Sequence, residues 1–238
     1  MKTFLHSGSL GDVIYSLPTI RELGGGILYL KNRNQFTPYS LLYQELIALL
    51  IQQPFIQQVE LYPDKYTPVG YPPFEYHPGI HIDYDLDLAR KQLFRTKIHI
   101  VKRHLDAFGI NCSWTHPWLK VNGDNEVKGD YSLIHVTPRW RDGSGVNWRQ
   151  ILHSIQGKVF FIGYQAEWVD FCERYGNIEW CPTEKILDMA ILIRDCKALY
   201  GNQSVSTTIA QGLGIKYFLE RNPKRSNVLM HTPNETIL

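Results

Sequence analysis

The stretch "SGSLGDVIYSLPTIREL", Ser7–Leu23, decides the fold. Before it, Lys2 to His6 reads as a short buried strand. The turn Gly8-Ser9-Leu10-Gly11 follows and closes on an acid, Asp12. Glycines at such a turn let a backbone come close to another group. From Asp12 to Leu23 the pattern is helical, with Val13, Tyr15-Ser16-Leu17 and Ile20 sharing one side. Pro18 predicts a bend or an early break in that helix, and Gly24-Gly25-Gly26 its end.

Outward from this unit the alternation of strand and helix continues. Strands are predicted at "ILYL", "IQQVELY", "GIHIDYDLDL" and "WLKV". Helices are predicted at "YSLLYQELIALLIQQP" and "RTKIHIVKRHLDAFGI". Tyr62 to Gly79 is a Pro/Tyr-rich loop without periodicity, long enough to be a functional excursion. The polar "NGDNEVKGD", Asn122–Asp130, reads as an interdomain linker. At Tyr131 the pattern restarts: "YSLIHVT", "KVFFIG", "IEWC", "ALYGN" and "IKYFLE" as strands, separated by four helices. Strands alternating with helices predict parallel sheets, and the restart predicts two of them, residues 1–124 and 125–238.

The 238 residues are 44% hydrophobic and 20% charged, with a formal net charge of +2. That charge announces no non-specific nucleic-acid binding. The four cysteines form no C-x-x-C pair, and the start "MKTFLHSGSLGD" has no secretory apolar region. The expectation is a cytoplasmic protein with reduced thiols and no stable membrane insertion.

Ligands of doubly wound sheets sit beyond the carboxyl ends of the strands. Two strand-to-helix junctions stand out, Gly8–Gly11 and "GNQSVSTT", Gly201–Thr208. A helix start bearing Ser204, Ser206, Thr207 and Thr208 suits a phosphate, through free N–H groups, a positive dipole end and hydroxyl donors. Ordinary helix capping accounts for one such hydroxyl; four argue for a ligand.

These stretches resemble the bacterial ADP-heptose lipopolysaccharide heptosyltransferases. Their opening is a strand, a serine-bearing turn ending in Gly-Asp, then an apolar run with Leu-Pro and Arg-x-Leu. "HIDYDLDLARK" resembles a middle strand of their first domain. "LIHVTPRW…NWRQIL", "VFFIGYQAE" and "YGNQSVSTTIAQGLGIKYFLE" resemble successive segments of their second. The resemblance implies the glycosyltransferase B fold, an α/β architecture of two Rossmann-like parallel-sheet domains facing a central cleft. It implies an inverting, metal-independent transfer from a nucleotide-diphosphate sugar, with no cofactor besides that co-substrate. Asp12 falls where the family has its proposed base; by its chemistry alone it reads equally as a first-turn acid or helix cap. Gly11, Thr137, Arg139, Arg141, Gly163, Gln203 and the hydroxyl cluster Ser204, Ser206, Thr207 and Thr208 fall on the nucleotide-sugar side. Ser9, Arg90 and Arg95 fall on the acceptor side. The chain departs from the family pattern at Gln203, Val205 and Thr208, where the family has Asp, Gly and His.

Other readings rest on less. Asp83, Asp85 and Asp87 in "HIDYDLD", with His77 and His81 nearby, would share one strand face and could hold a divalent ion. "SGSLGD" fails the dinucleotide pattern G-x-G-x-x-G, and neither a G-x-S-x-G elbow nor a Ser-His-Asp constellation is visible. Lys91, Arg95, Lys97, Lys102 and Arg103 would form a basic face if the acceptor were a nucleic-acid base rather than a glycan. A non-catalytic nucleotide-binding protein that kept the fold is the remaining alternative. The oligomeric state is left open.

Overall fold

The structure is a computed structural model that describes residues 1–31, 41–63, 79–91, 98–127, 129–138, 145–183, 185–222 and 228–238. The chain divides into two compact units, Met1–Thr96 with Ile100–Trp114, and Lys97–His99 with Thr115–Leu238.

The first unit runs β1 (Lys2–His6), α1 (Leu10–Glu22), β2 (Gly26–Lys31), α2 (Leu41–Leu50), β3 (Ile56–Tyr62), β4 (Tyr84–Asp85), α3 (Leu88–Lys91) and α4 (Ile100–Ala107). Its sheet has the order β3-β2-β1-β4, all pairs parallel. Phe4, Leu5, Leu28 and Leu30 are buried with Val13, Ile14, Leu17 and Ile20 of α1. α1 runs unbroken through Pro18. The bond that Pro18 cannot donate is lost, but every residue from Val13 to Ile20 is buried, and packing holds the helix.

The predicted strand at 79–88 shrinks to the two residues of β4. On either side of it carboxylates add to single backbone bonds, Asp83 N to Thr3 O and Leu86 N to Leu5 O. Asp83 Oδ2 accepts from Thr3 N at 2.8 Å and Thr3 Oγ1 at 2.9 Å. Asp87 Oδ1 accepts from Ser7 N at 3.0 Å, and Asp85 Oδ1 from Asp87 N at 3.0 Å. The three acids therefore do not form the expected single face. Each is tied to its own partner, and among the described residues no group of three metal-ligating side chains occurs.

The second unit runs β5 (Tyr131–His135), α5 (Trp148–Ser154), β6 (Lys158–Phe161), α6 (Gln165–Tyr175), β7 (Glu179–Trp180), α7 (Ile186–Asp195), β8 (Ala198–Asn202), α8 (Val205–Leu213), β9 (Tyr217–Glu220) and β10 (Glu235–Ile237). The order is β10-β9-β8-β5-β6-β7, again parallel throughout. Ile134, Val136, Trp148, Phe161 and Phe171 form one buried cluster. Trp148 Nε1 donates to the buried Glu220 carboxylate at 3.2 Å and so ties α5 to β9. β10 was not expected from the sequence.

The segment before the expected linker also differs. "WLKV" forms no strand: Trp118 N and Leu119 N both donate to Gly212 O, at 2.8 and 2.9 Å. Arg194 Nη1 donates to the Val121 and Gly123 carbonyls at 3.2 and 3.1 Å. Trp118, Leu119 and Val121 are buried. The contact division thus falls at Trp114/Thr115, ahead of the expected boundary at 124.

Among the described residues no helix is long and apolar enough to cross a membrane. Cys112, Cys172, Cys181 and Cys196 are all free thiols. Burial pushes the Cys196 thiol up to about 12 and raises those of Cys181 and Cys112, the opposite of an activated nucleophile.

Candidate functional site

Topology marks one position in each sheet. In the first, the chain proceeds β1 to β3 in one direction and then places β4 on the other side of β1. In the second, it proceeds β5 to β7 and returns to place β8 on the other side of β5. Each reversal leaves a crevice beyond the carboxyl ends of the two divergent strands, where such sheets bind ligands.

At the first reversal stands the turn after β1. His6 is buried at the strand end, and its Nδ1 accepts the Gly8 N–H at 2.7 Å. That bond spends the Nδ1 lone pair, so in this arrangement the ring proton is on Nε2. Asp87 Oδ1, 4.0 Å from Nδ1, is therefore an electrostatic neighbour rather than a hydrogen-bond acceptor. A Cβ on Gly8 would lie 2.3 Å from His6 Cε1 and 2.6 Å from Asp12 Cβ, so the position has no room for a side chain. Asp12 is the third residue of α1, partly exposed, and its Oδ2 accepts from Ser9 N at 3.2 Å and Ser9 Oγ at 3.1 Å. This is a capping box, with the acid at the positive end of the helix dipole. Gly11 lies in the same first turn. The structure thus brings Ser9, Gly11 and Asp12 together. Arg95 lies outside the described residues, as does the side chain of Arg90.

Of the expected basic face, the structure describes the side chains of Lys102 and Arg103. Arg103 is 3% exposed, and its burial lowers its basicity. Lys102 is paired with Asp106 one turn along α4. Lys97 and the side chain of Lys91 lie outside the described residues, as does His77.

At the second reversal Asn202 clamps the chain leaving β5. Its Oδ1 accepts from Thr137 N at 3.0 Å and its Nδ2 donates to Thr137 O at 2.7 Å. Ser204 is the N-cap of α8 and partly exposed. Thr207 Oγ1 donates to Asn202 O at 2.7 Å, and Thr208 Oγ1 to Ser204 O at 3.3 Å. Both threonines are buried, so their hydroxyl protons serve the chain's own carbonyls. Gln203 Oε1 accepts from Asn222 N at 3.3 Å. Arg139 and Arg141 lie outside the described residues.

Two side chains that the sequence reading passed over stand here. His135 Nδ1 lies 2.7 Å from Ser206 Oγ and 3.3 Å from Ser204 Oγ. Its Nε2 lies 3.4 Å from Glu167 Oε2, an ion-pair separation. Gly163, at φ 113°, makes the room: a Cβ there would fall 2.7 Å from the His135 ring and 2.9 Å from Glu167 Oε2. The row Ser206–His135–Glu167 looks like a hydrolase triad, but Ser206 has no exposed surface and is no accessible nucleophile. The signal was present in the sequence: His135 is the polar centre of "LIHVT" and Glu167 the polar end of "VFFIGYQAE", at the carboxyl end of one predicted strand and just beyond the other.

No protein-family model and no curated protein sequence matches the chain. Solved structures do. A glycosyl transferase family 9 protein of Veillonella parvula superposes with a TM-score of 0.64 at 11% identity, covering 99% of this chain and 84% of that one. E. coli heptosyltransferase WaaC, solved with ADP, gives 0.62 at 12% identity, covering 100% and 92%. The dodecameric, iron-containing glycosyltransferase TibC of enterotoxigenic E. coli gives 0.58 at 18% identity, covering 98% of this chain but 61% of that longer one. The chain has the two-unit α/β fold of these transferases.

Proposed function

We propose that the protein is an inverting, metal-independent glycosyltransferase that moves a sugar from a nucleotide-diphosphate sugar to an acceptor hydroxyl. The observation that carries the proposal is the likeness to solved glycosyltransferases over at least 98% of the chain. The motif residues at the two sheet reversals supply the groups such a reaction requires. In this reading Asp12 takes the proton of the acceptor hydroxyl as its oxygen attacks the anomeric carbon. The bond from that carbon to the donor's diphosphate breaks on the opposite side, and the configuration inverts. The departing negative charge is met by the amino-terminal N–H groups of α8, the Ser204 hydroxyl and the cations Arg139 and Arg141.

WaaC has been solved with ADP and with ADP-2-deoxy-2-fluoro heptose, so ADP-sugars are the first donors to try. Calorimetry against ADP-, UDP- and GDP-sugars should find one that saturates, and transfer to a glycan acceptor should give product of inverted anomeric configuration by NMR. Turnover should survive EDTA; TibC is iron-containing, which makes that arm necessary. Binding without transfer to any acceptor would instead favour a non-catalytic nucleotide-binding protein. Absence of saturable binding to every sugar nucleotide would remove the proposal.

A further inference from the structure

In the second unit a row of polar side chains, one ion-pair contact followed by hydrogen bonds, runs through buried His135 to the first turn of α8. It joins Glu167 of α6, His135 of β5, Ser206 of α8 and Ser204, the helix N-cap. Ser206 Oγ lies 2.7 Å from His135 Nδ1 and 2.8 Å from Ser204 Oγ. His135 is 4% exposed and Ser206 is fully buried, whereas Ser204 is partly exposed. Both ends of the row, Glu167 and Ser204, are partly exposed, and Ser204 is the end that stands at the amino terminus of α8.

Each hydroxyl owns one proton, so the row has two polarities. With a neutral ring protonated on Nε2, Nδ1 accepts from Ser206, Ser206 accepts from Ser204, and the Ser204 proton points inward. Ser204 then offers a ligand only lone pairs. With a doubly protonated ring, Nδ1 donates to Ser206, Ser206 donates to Ser204, and the Ser204 proton is released for an outside acceptor. A phosphate oxygen needs the second polarity.

We propose that His135 is a proton-linked positioning residue: its protonation reverses the row and turns Ser204 into a hydrogen-bond donor for the diphosphate of the nucleotide sugar, so donor binding takes up a proton. This rests on the donor reading above. Among the described residues the charged partner of the ring is Glu167, 3.4 Å from Nε2. The Glu167 oxygen also accepts the Tyr164 N–H, at 3.2 Å. From β6 the neighbour is the Phe161 ring, 6.4 Å away, and from β8 it is Gly201, packed against the His135 carbonyl. The amino end of α8 opposes the cation until an anion arrives. That opposition is what couples the proton to the ligand. Across the range in which histidine titrates, roughly pH 5–8, affinity should fall as pH rises, by at most about tenfold per unit for one linked proton.

The probe is a nucleotide sugar, because both of its phosphates are esterified and neither titrates near neutral pH. ADP-heptose comes first, with UDP-glucose and GDP-mannose beside it. Calorimetry at fixed pH in buffers of different ionisation enthalpy counts the protons. Wild type should take up a fraction of a proton within that window. Ser206→Ala removes a buried hydroxyl without adding volume and leaves only the longer, 3.3 Å contact between Ser204 Oγ and His135 Nδ1; it should reduce the uptake while leaving the circular dichroism spectrum unchanged. Glu167→Gln should move the uptake to lower pH, a shift that a merely structural role would not produce. Wild-type binding without proton uptake overturns the inference and leaves the donor reading standing, as does full uptake in Ser206→Ala. The wild-type measurement decides even if a variant fails to fold. No saturable binding of any sugar nucleotide at any pH overturns the donor reading, and this inference with it.

Discussion

Replacing Asp12 by Asn separates a base from a cap. The amide keeps one carbonyl oxygen, which can occupy the place of Oδ2, 3.2 Å from Ser9 N and 3.1 Å from Ser9 Oγ. What it loses is a negative charge in the first turn of a 13-residue helix. That charge contributes about 0.3–1 kcal/mol at a partly exposed site. For a chain of this size the melting temperature should fall by less than about 4 °C. The chemical loss is of another order. A positioned base contributes about 10²–10⁴-fold, or roughly 2.7–5.5 kcal/mol of barrier. Scanning calorimetry, donor titration and the transfer rate measured on the same preparation should show a small thermal shift, unchanged donor affinity and a collapse in turnover. Asp12→Ala is the control; it also deletes the capping acceptor, at about 0.5–2 kcal/mol. Transfer by Asp12→Asn at the wild-type rate would refute the assignment of the base. A variant that no longer folds would make Asp12 a structural residue.

Gly163→Ala places a Cβ 2.7 Å from the His135 ring at φ 113°, and should destabilise by about 1–3 kcal/mol while weakening donor binding; an unchanged melting temperature would contradict the crowding at that position. Trp148→Phe removes a donor from the buried Glu220 carboxylate and should cost about 1.5–3 kcal/mol in a denaturant titration; parity with wild type would mean that the bond contributes nothing. The Thr3 N–H, and then its hydroxyl, hold the Asp83 carboxyl below the usual range. Its folded pKa lies below its unfolded one, so the stability it contributes is present above about pH 4 and is lost as pH falls through the folded value. The melting-temperature gap between wild type and Asp83→Asn at pH 6 should therefore close in acid, and a gap that stays constant would show that the carboxylate is not the source.

What the sequence disclosed was mostly local. The β1–turn–α1 unit was legible because the apolar strand, the glycine turn and the capping acid lie side by side in the chain. α8 ends at Gly214 in the left-handed conformation, and Asn147 caps α5, as their residue types announce. Non-local features were hidden. His135 and Glu167 meet only because β5 and β6 pair in parallel and bring their carboxyl ends together. β10 gains its place from pairing with β9, which no property of "ETI" announces. The three aspartates of "DYDLD" follow strand alternation, but the edge they meet accepts only two residues as strand, and side-chain bonds join the backbone ones on either side. The hydroxyls of α8 were read as four equivalent donors; burial makes them unequal, leaving Ser204 as the exposed one of the four.

Gly212 sets where this chain can be cut and recombined. Its carbonyl receives both the Trp118 and Leu119 N–H groups. A Cβ on it would lie 2.9 Å from Leu119 Cβ and 3.2 Å from Trp118 Nε1. A glycine on α8 and an aromatic–aliphatic pair far upstream are therefore matched parts of one lock. A chimera joined at the polar stretch 122–130 would inherit one half from each parent and lose the fit. A crossover at Thr115 keeps both halves in a single heritable block.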